Sequence, residues 1–111
     1  MIECSVDEPG RKGQIVLSDD LTIQNVQQVR SALLEMTSRV DELTLGLDQV
    51  SRVDLAVLQV LCSAHRDLVR RGKRLIIAGG ISDAFRSTMV AAGFQNCVAD
   101  EHGNQLWKGE R

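Results

Sequence analysis

The chain has 111 residues, of which 43% are hydrophobic, 25% are charged and 3% are aromatic. This length suits one domain with a single core. The net charge of −2, with no basic block, argues against a nucleic-acid surface, which needs clustered Lys and Arg. The low aromatic content also argues against platforms on which bases or sugars stack.

Features of the sequence that report on its compartment point to the cytoplasm. The first four residues, 1–4, lack the basic and apolar regions of a signal peptide. No apolar run approaches the ~20 residues of a membrane-spanning helix. Cys4, Cys62 and Cys97 are odd in number and unpatterned, which fits a reducing compartment and not a disulfide framework. We therefore expect a cytoplasmic protein that is not inserted in a membrane.

The first third of the chain predicts two extended segments, a turn between them and then a helix. Pro9 fixes φ within the turn at 8–13, and residues 14–18 are rich in branched side chains, as strands are. Residues 19–20, both aspartates, predict a second bend. Thr22 suits the N-cap of the helix, because its hydroxyl can accept an unpaired backbone N–H. The apolar side chains of that helix recur on one face: Val26, Val29, Leu33 and Met36.

The middle of the chain predicts a strand, a loop and a long helix. Residues 43–47 alternate with period two, which is typical of a strand with its leucines in the core. A loop is expected at 48–53, followed by Asp54 as the N-cap of a helix that runs to about Arg71. Gly72 would end that helix. Its apolar stripe contains Val57, Leu58, Val60, Leu61 and Leu68.

The last third predicts a further strand and a third helix. Residues 75–78 form a continuous apolar run, typical of a strand that is covered on both faces or lies in mid-sheet. Gly79 and Gly80 predict a turn, Ser82 a helix cap and Gly93 the end of that helix. Three apolar side chains are expected to point inward from it: Phe85, Met89 and Val90. The polar tail at 95–111 adds either one short strand or a loose end.

This order of elements predicts a small α/β domain. The tight first connection joins antiparallel strands, whereas helical crossovers require parallel neighbours. Right-handed crossovers place their helices together on one face of the sheet. We therefore expect one domain over 1–111, with its core at about 14–94 and a mixed sheet of four to five strands whose helices pack mainly on one face.

Two features could bind a metal or a phosphate, and each has a simpler interpretation. Cys62 and His65 are three residues apart, but no second ligand pair lies at usable spacing, so a buried small side chain and a boundary histidine are favoured. Gly79 and Gly80 before a helix are similar to a phosphate-binding turn, although the lysine and glycine spacing of known phosphate motifs are missing. No metal and no cofactor are predicted.

Candidate catalytic groups are equally isolated. Ser51, Cys62 and Ser63 could act as nucleophiles, yet no histidine and carboxylate are arranged in sequence to activate them. Asp48 and Asp54 read more simply as a loop residue and a helix cap than as paired carboxylates. The sequence therefore predicts a protein that is not an enzyme.

Five stretches resemble the STAS domain, the fold of bacterial anti-sigma factor antagonists. They cover residues 15–18, 21–23, 45–61, 71–79 and 82–94, so the likeness extends over about 14–94. In the family, a strand leads through a short loop to an Asp-Ser-Ser-Gly-Leu signature that opens a long helix. The resemblance implies a single STAS-like domain that binds another protein.

The chain departs from the family pattern at the residues that carry its phosphorylation. Asp54 and Leu58 match the signature, but Ala56 stands where the antagonists have the phosphorylated serine. Gly46 replaces the strand aspartate. Because alanine has no hydroxyl, the usual switch cannot operate at Ala56, and Ser51 is the remaining candidate for a displaced acceptor.

What the resemblance implies is a docking surface at the signature loop and the start of the long helix. An outward Leu55 beside a small residue would be an apolar contact spot. The partner would be an anti-sigma factor, a kinase-like protein or another signalling component. Alternatives are the ATPase of an ABC transporter or, in a different class, a nucleotide or small ligand. The candidate partner-binding residues are Ser51, Arg52, Asp54, Leu55, Ala56 and Gln59.

Overall fold

The computed structural model describes residues 2–7 and 9–93. The predicted order β-β-α-β-α-β-α is confirmed, and the polar tail at 95–111 lies outside the described residues. A 3₁₀ turn, Ile23–Asn25, precedes the first α-helix. The other elements are β1 Ile2–Asp7, β2 Lys12–Leu21, α1 Val26–Arg39, β3 Glu42–Val53, α2 Leu55–Arg70, β4 Arg74–Ile81 and α3 Asp83–Ala91.

The four described strands form one mixed sheet in the order β1-β2-β3-β4. The tight turn joins β1 antiparallel to β2, with Ile2 opposite Leu17, and the helical crossovers make β2, β3 and β4 parallel. Lys12, Glu42 and Arg74 are therefore register partners at the amino ends of the three parallel strands. The α/β class and the mixed sheet are as predicted.

The core lies between the sheet and its helices. Successive inward residues of β3, from Leu43 through Leu45 to Leu47, are fully buried in one cluster with the apolar faces of α1 and α2. Phe85 and Met89 join that cluster from α3. The helix-derived members are Val29, Leu33, Met36, Val57, Leu58, Leu61, Cys62, Leu68, Phe85 and Met89. Within the described residues, no helix is long and apolar enough to cross a membrane.

Two predicted breaks in the strands are wrong. Residues 19–20 continue β2, where Asp19 has a φ of 64° beside shifts in the β2–β3 register. Residues 48–53 continue β3 and do not form a loop, because their backbone pairs with β2 as far as Val53 opposite Leu21. Partner strands supply hydrogen bonds that outweigh the polar composition of both stretches.

The end of β4 and one face of α3 also differ from the prediction. Gly79 and Gly80 lie inside β4 with φ of 81° and 80°, values that glycine adopts without strain, so the expected turn is absent there. In the described part of the chain, β4 is an edge strand and not a central one. Val90, expected inside, is 52% exposed.

The helix ends follow the sequence closely. Gly72, with φ of 75°, ends α2, and the Lys73 N–H donates to the Leu68 carbonyl at 2.7 Å, closing the last turn. Ser82 caps α3, since its hydroxyl accepts from the Phe85 N–H at 3.1 Å. Thr22 caps the 3₁₀ turn in the same way, from the Gln24 N–H at 3.2 Å.

The two described cysteines differ. Cys4 is exposed and free, and burial together with the nearby Glu35 charge raises the pKa of its thiol. Cys62 is buried in α2, as expected.

Ion pairs close the amino ends of the parallel strands. The Arg11 Nε donates to the Asp41 carboxylate at 2.8 Å, and that hydrogen bond holds the pKa of Asp41 below its usual range. The Arg74 guanidinium lies 3.3 Å from the Glu42 carboxylate. Lys73 donates to the Thr37 carbonyl at 2.7 Å. This end of the sheet thus ties its loops together with charged groups.

Candidate partner-docking edge

The opposite end of the sheet brings two corners of the chain side by side. Leu21, which ends β2, is the register partner of Val53, which ends β3. The chain then turns into the 3₁₀ turn at one corner and into α2 at the other. The segments that leave the carboxyl ends of β2 and β3 therefore lie next to each other at one edge of the sheet.

Asp54 joins these two corners. Its carboxylate accepts the Ile23 N–H at 2.9 Å, and its own N–H donates to the Leu21 carbonyl at 2.9 Å. Asp54 occupies the N-cap position of α2, as predicted, but its side chain makes no cap hydrogen bond to that helix. The expected capping role is corrected: the carboxylate satisfies a backbone donor of the neighbouring corner instead.

Two large apolar side chains stand in solvent at the corners that Asp54 joins. Leu55 is 48% exposed in the first turn of α2, and Ile23 is 63% exposed in the 3₁₀ turn. We call Ile23, Asp54, Leu55, Ala56 and Gln59 the docking edge. Ile23 is not among the residues predicted from the sequence, where its only local signal is that an apolar residue directly follows the cap at Thr22.

Ala56 and Gln59 face α1. They line one wall of an open groove of about 590 Å³ between α1 and α2, and Val26 and Gln27 lie on the other wall at the same end. Ala56 is half-buried and Gln59 is exposed. The docking edge therefore continues into this interhelical groove.

Ser51 and Arg52 lie just upstream, on the last residues of β3. Both side chains are exposed, between the buried Val50 and Val53. Arg52 is the register partner of Asp20 on β2. The structure thus places four predicted residues, Asp54 to Gln59, at the start of α2 and these two on a strand, not in the expected loop.

The geometry of the described residues gives little support to a metal site at Cys62 and His65 or to a phosphate site at the start of α3. Cys62 and His65 are both buried in α2, and the described part of the chain contains no cluster of three His, Cys, Asp or Glu side chains able to hold a metal. At the start of α3, the Ser82 hydroxyl already accepts from Phe85 and donates to the Val50 carbonyl at 2.6 Å. Asp83 in the first turn would repel a phosphate.

In the part of the chain that the structure describes, a mixed four-stranded sheet and three α-helices define a small α/β domain. The chain belongs to the STAS family: the family model described as "Mlab, STAS domain" matches residues 4–99. The resemblance stated from the sequence is confirmed. No curated protein matches the chain.

Solved structures of anti-sigma factor antagonists share the fold. The Bacillus cell fate determinant SpoIIAA, in its phosphorylated form, superposes with a TM-score of 0.68 at 17% identity, over 92% of this chain and 94% of that one. Its unphosphorylated form gives 0.67 at 16% identity, over 81% and 82%. An antagonist from Mycobacterium paratuberculosis gives 0.66 at 14% identity, over 86% and 81%. At these identities the likeness establishes the fold alone.

Proposed function

We propose that this STAS domain is a non-catalytic, cytoplasmic protein-interaction module of the anti-sigma factor antagonist type, acting in bacterial signalling or transcription regulation. The observation that carries the proposal is the pair of exposed apolar side chains, Ile23 and Leu55, at corners that the Asp54 carboxylate joins. Apolar side chains on a firmly held scaffold contribute binding energy when a partner covers them, because little conformational freedom is lost.

The proposed module works without phosphate at the family's usual position. Ala56 has no hydroxyl, so a phosphoryl group cannot alter the charge of the docking edge there. Incubation with an anti-sigma-type kinase and ATP should leave the protein unlabelled. Label on Ser51, which is exposed at the end of β3, would restore a phosphorylation switch and contradict this part of the proposal.

A second candidate function is a small STAS subunit that docks on the ATPase of an ABC transporter. The observation that favours it is the matching family model, whose description names Mlab and not an anti-sigma factor antagonist. Both candidates use a protein partner, so the identity of the protein that the docking edge captures separates them.

The test of the proposed function is capture of the partner by the tagged full chain, with Leu55→Asp as the disrupting variant. A carboxylate at this exposed position should leave folding intact and remove the partner, because a charge cannot be desolvated against an apolar surface. Val90→Asp is the matched control, since Val90 is also about half exposed but lies on α3. Equal capture by wild type and Leu55→Asp would overturn the proposed docking edge.

A ligand-sensing role is tested separately by thermal unfolding with nucleotides. A nucleotide present at one hundred times its dissociation constant should add about 2.7 kcal/mol to the free energy of unfolding. We expect no shift, because Ser82 and Asp83 close the start of α3 to phosphate. A clear stabilisation would assign the domain to the sensor class instead.

A further inference from the structure

The interhelical groove is larger than the docking edge requires. It extends along α1 from Val26 to Thr37 and along α2 from Ala56 to Asp67. The eleven steps between the ends of each stretch span about 16 Å, or three turns, at ~1.5 Å of rise per residue. The groove is therefore long enough for three turns of another helix to lie along it.

The floor and walls of the groove explain why it stays open. On α2, the small side chains of Ala56, Ser63 and Ala64 face α1, so the two helices leave space between their outer surfaces. The buried Leu33 and half-buried Val60 form an apolar floor, and Leu34, which is 58% exposed, forms an apolar rim. Such a surface fits the apolar anchors that a helix presents at positions i, i+4 and i+7.

The charges that line the groove are unequal. Asp67 is neutralised by its own helix, because the Arg71 guanidinium lies 2.7 Å from its carboxylate and that of Arg70 lies 4.0 Å away. Arg30, in contrast, is exposed and forms no ion pair with any described residue. The amides of Gln27 and Gln59 line the same groove and offer further N–H donors. The side of the groove nearer the docking edge thus favours a carboxylate.

We infer that the interhelical groove receives an amphipathic helix of the partner protein, with apolar anchors on the floor and an Asp or Glu facing Arg30. The inference rests on the proposed function, since it assigns the binding element of the partner that the docking edge captures. Ala56 and Gln59 belong to both surfaces, so the two form one continuous interface.

The test measures the affinity of the purified captured partner for variants of the full chain by titration calorimetry. Ser63→Trp fills the groove from an exposed position, and Arg66→Trp is its control, exposed on α2 but outside the groove. Arg30→Glu reverses the rim charge, with Arg66→Glu as its control. We expect Ser63→Trp and Arg30→Glu each to weaken binding about tenfold or more, whereas both controls bind as the wild type does.

A crosslink identifies what occupies the groove. A benzophenone attached through Arg66→Cys, one turn from Ser63 but outside the groove, in a chain that also carries Cys4→Ser, should label a partner peptide whose sequence has apolar residues at helical spacing and an acidic residue among them. Reversal of that acidic residue to Lys should recover binding to Arg30→Glu. A labelled peptide without acidic residues, or without helical periodicity, would overturn the inference.

The remaining outcomes distinguish failure of the groove inference from failure of the proposed function. If Leu55→Asp loses the partner while Ser63→Trp and Arg30→Glu bind normally, the groove inference fails and the docking edge stands. If Leu55→Asp also binds normally, the proposed function fails with it. If the free chain is a dimer that Ser63→Trp dissociates, the groove belongs to a second copy, which contradicts the assigned occupant.

Discussion

The two ends of the parallel strands are built differently. At the amino ends, Arg11 pairs with Asp41 and Arg74 with Glu42, so charged side chains tie the loops together. At the carboxyl ends, a single carboxylate, Asp54, joins two corners, and apolar side chains stand in solvent beside it. Both ends are held together by hydrogen bonds or ion pairs between neighbouring corners of the chain, and the carboxyl end also exposes the large apolar side chains of Ile23 and Leu55.

The difference shows how one small sheet separates stability from binding. Each exposed ion pair contributes little to the free energy of unfolding. Such pairs nevertheless keep this end of the sheet polar, which makes it less suited to binding another protein. Asp54 joins the corners through hydrogen bonds to backbone groups and not to side chains. The side chains of Ile23 and Leu55 therefore remain available for contact. A domain with few aromatic residues can thus still offer an apolar surface at a defined place.

The largest predicted contrast lies within one turn of α2. Leu58 is fully buried and Leu55 is half exposed. Leu58→Ala should lower the free energy of unfolding by about 2–5 kcal/mol, because it leaves a cavity, whereas Leu55→Ala should change it by less than about 0.5 kcal/mol. Urea denaturation of both variants measures the contrast. A large loss of stability in Leu55→Ala would show that Leu55 serves the fold and not a partner.

The next largest effect is expected at Ser82, which lies near the carboxyl ends of the parallel strands. Ser82 accepts from the Phe85 N–H and donates to the Val50 carbonyl, so it links α3 to the extended part of β3. Ser82→Ala should cost about 1–2 kcal/mol of the free energy of unfolding through loss of the cap. Ser87→Ala, an exposed position inside α3, is the control and should be close to neutral. An equal effect of the two substitutions would contradict a special role for Ser82.

The link between the two corners is tested at Asp54. Asp54→Ala removes the acceptor for the Ile23 N–H and should lower the free energy of unfolding by about 1 kcal/mol, whereas Asp54→Asn retains an acceptor oxygen and should lose less. Hydrogen exchange at the Ile23 amide should speed up in Asp54→Ala. Unchanged protection of that amide would mean that the carboxylate does not hold the corner.

The smallest effect on stability is expected at the amino ends of the parallel strands, and it depends on pH. The hydrogen bond from Arg11 lowers the pKa of Asp41, so the pair stabilises the fold above the unfolded pKa of about 3.9 and loses that contribution as the pH falls through the folded pKa. Asp41→Asn should therefore lower the Tm slightly at about pH 7, and by less at an acidic pH below the folded pKa of Asp41. An offset in Tm that is the same at both pH values would exclude this ion pair as its source.

Periodic apolar segments were predicted well, and nonlocal features were not. Alternation at 43–47 and the stripe of α2 report burial directly, because each residue meets the same core. The local sequence does not predict the end of β3 as a strand, because its pairing depends on β2, some thirty residues earlier in the chain. The local composition of a segment does not show which distant strand it pairs with.

The candidate site was predicted in part for the same reason. The start of α2 follows from Asp54 and the helical stripe after it, and Leu55 is exposed as expected. The link between Ile23 and Asp54 and the interhelical groove form only when separate segments meet, so the local sequence predicts neither contact. The acceptor role of Asp54 toward Ile23 likewise depends on the register between β2 and β3.

The most direct measurement of the central claim is an NMR titration of the labelled chain with its captured partner. We predict that the amide signals of Ile23, Leu55 and Ala56 shift or broaden on binding, while those of Arg11, Asp41 and Arg74 keep their positions. Signal shifts confined to residues at the amino ends of the parallel strands, with the signals at the carboxyl ends unchanged, would contradict this prediction.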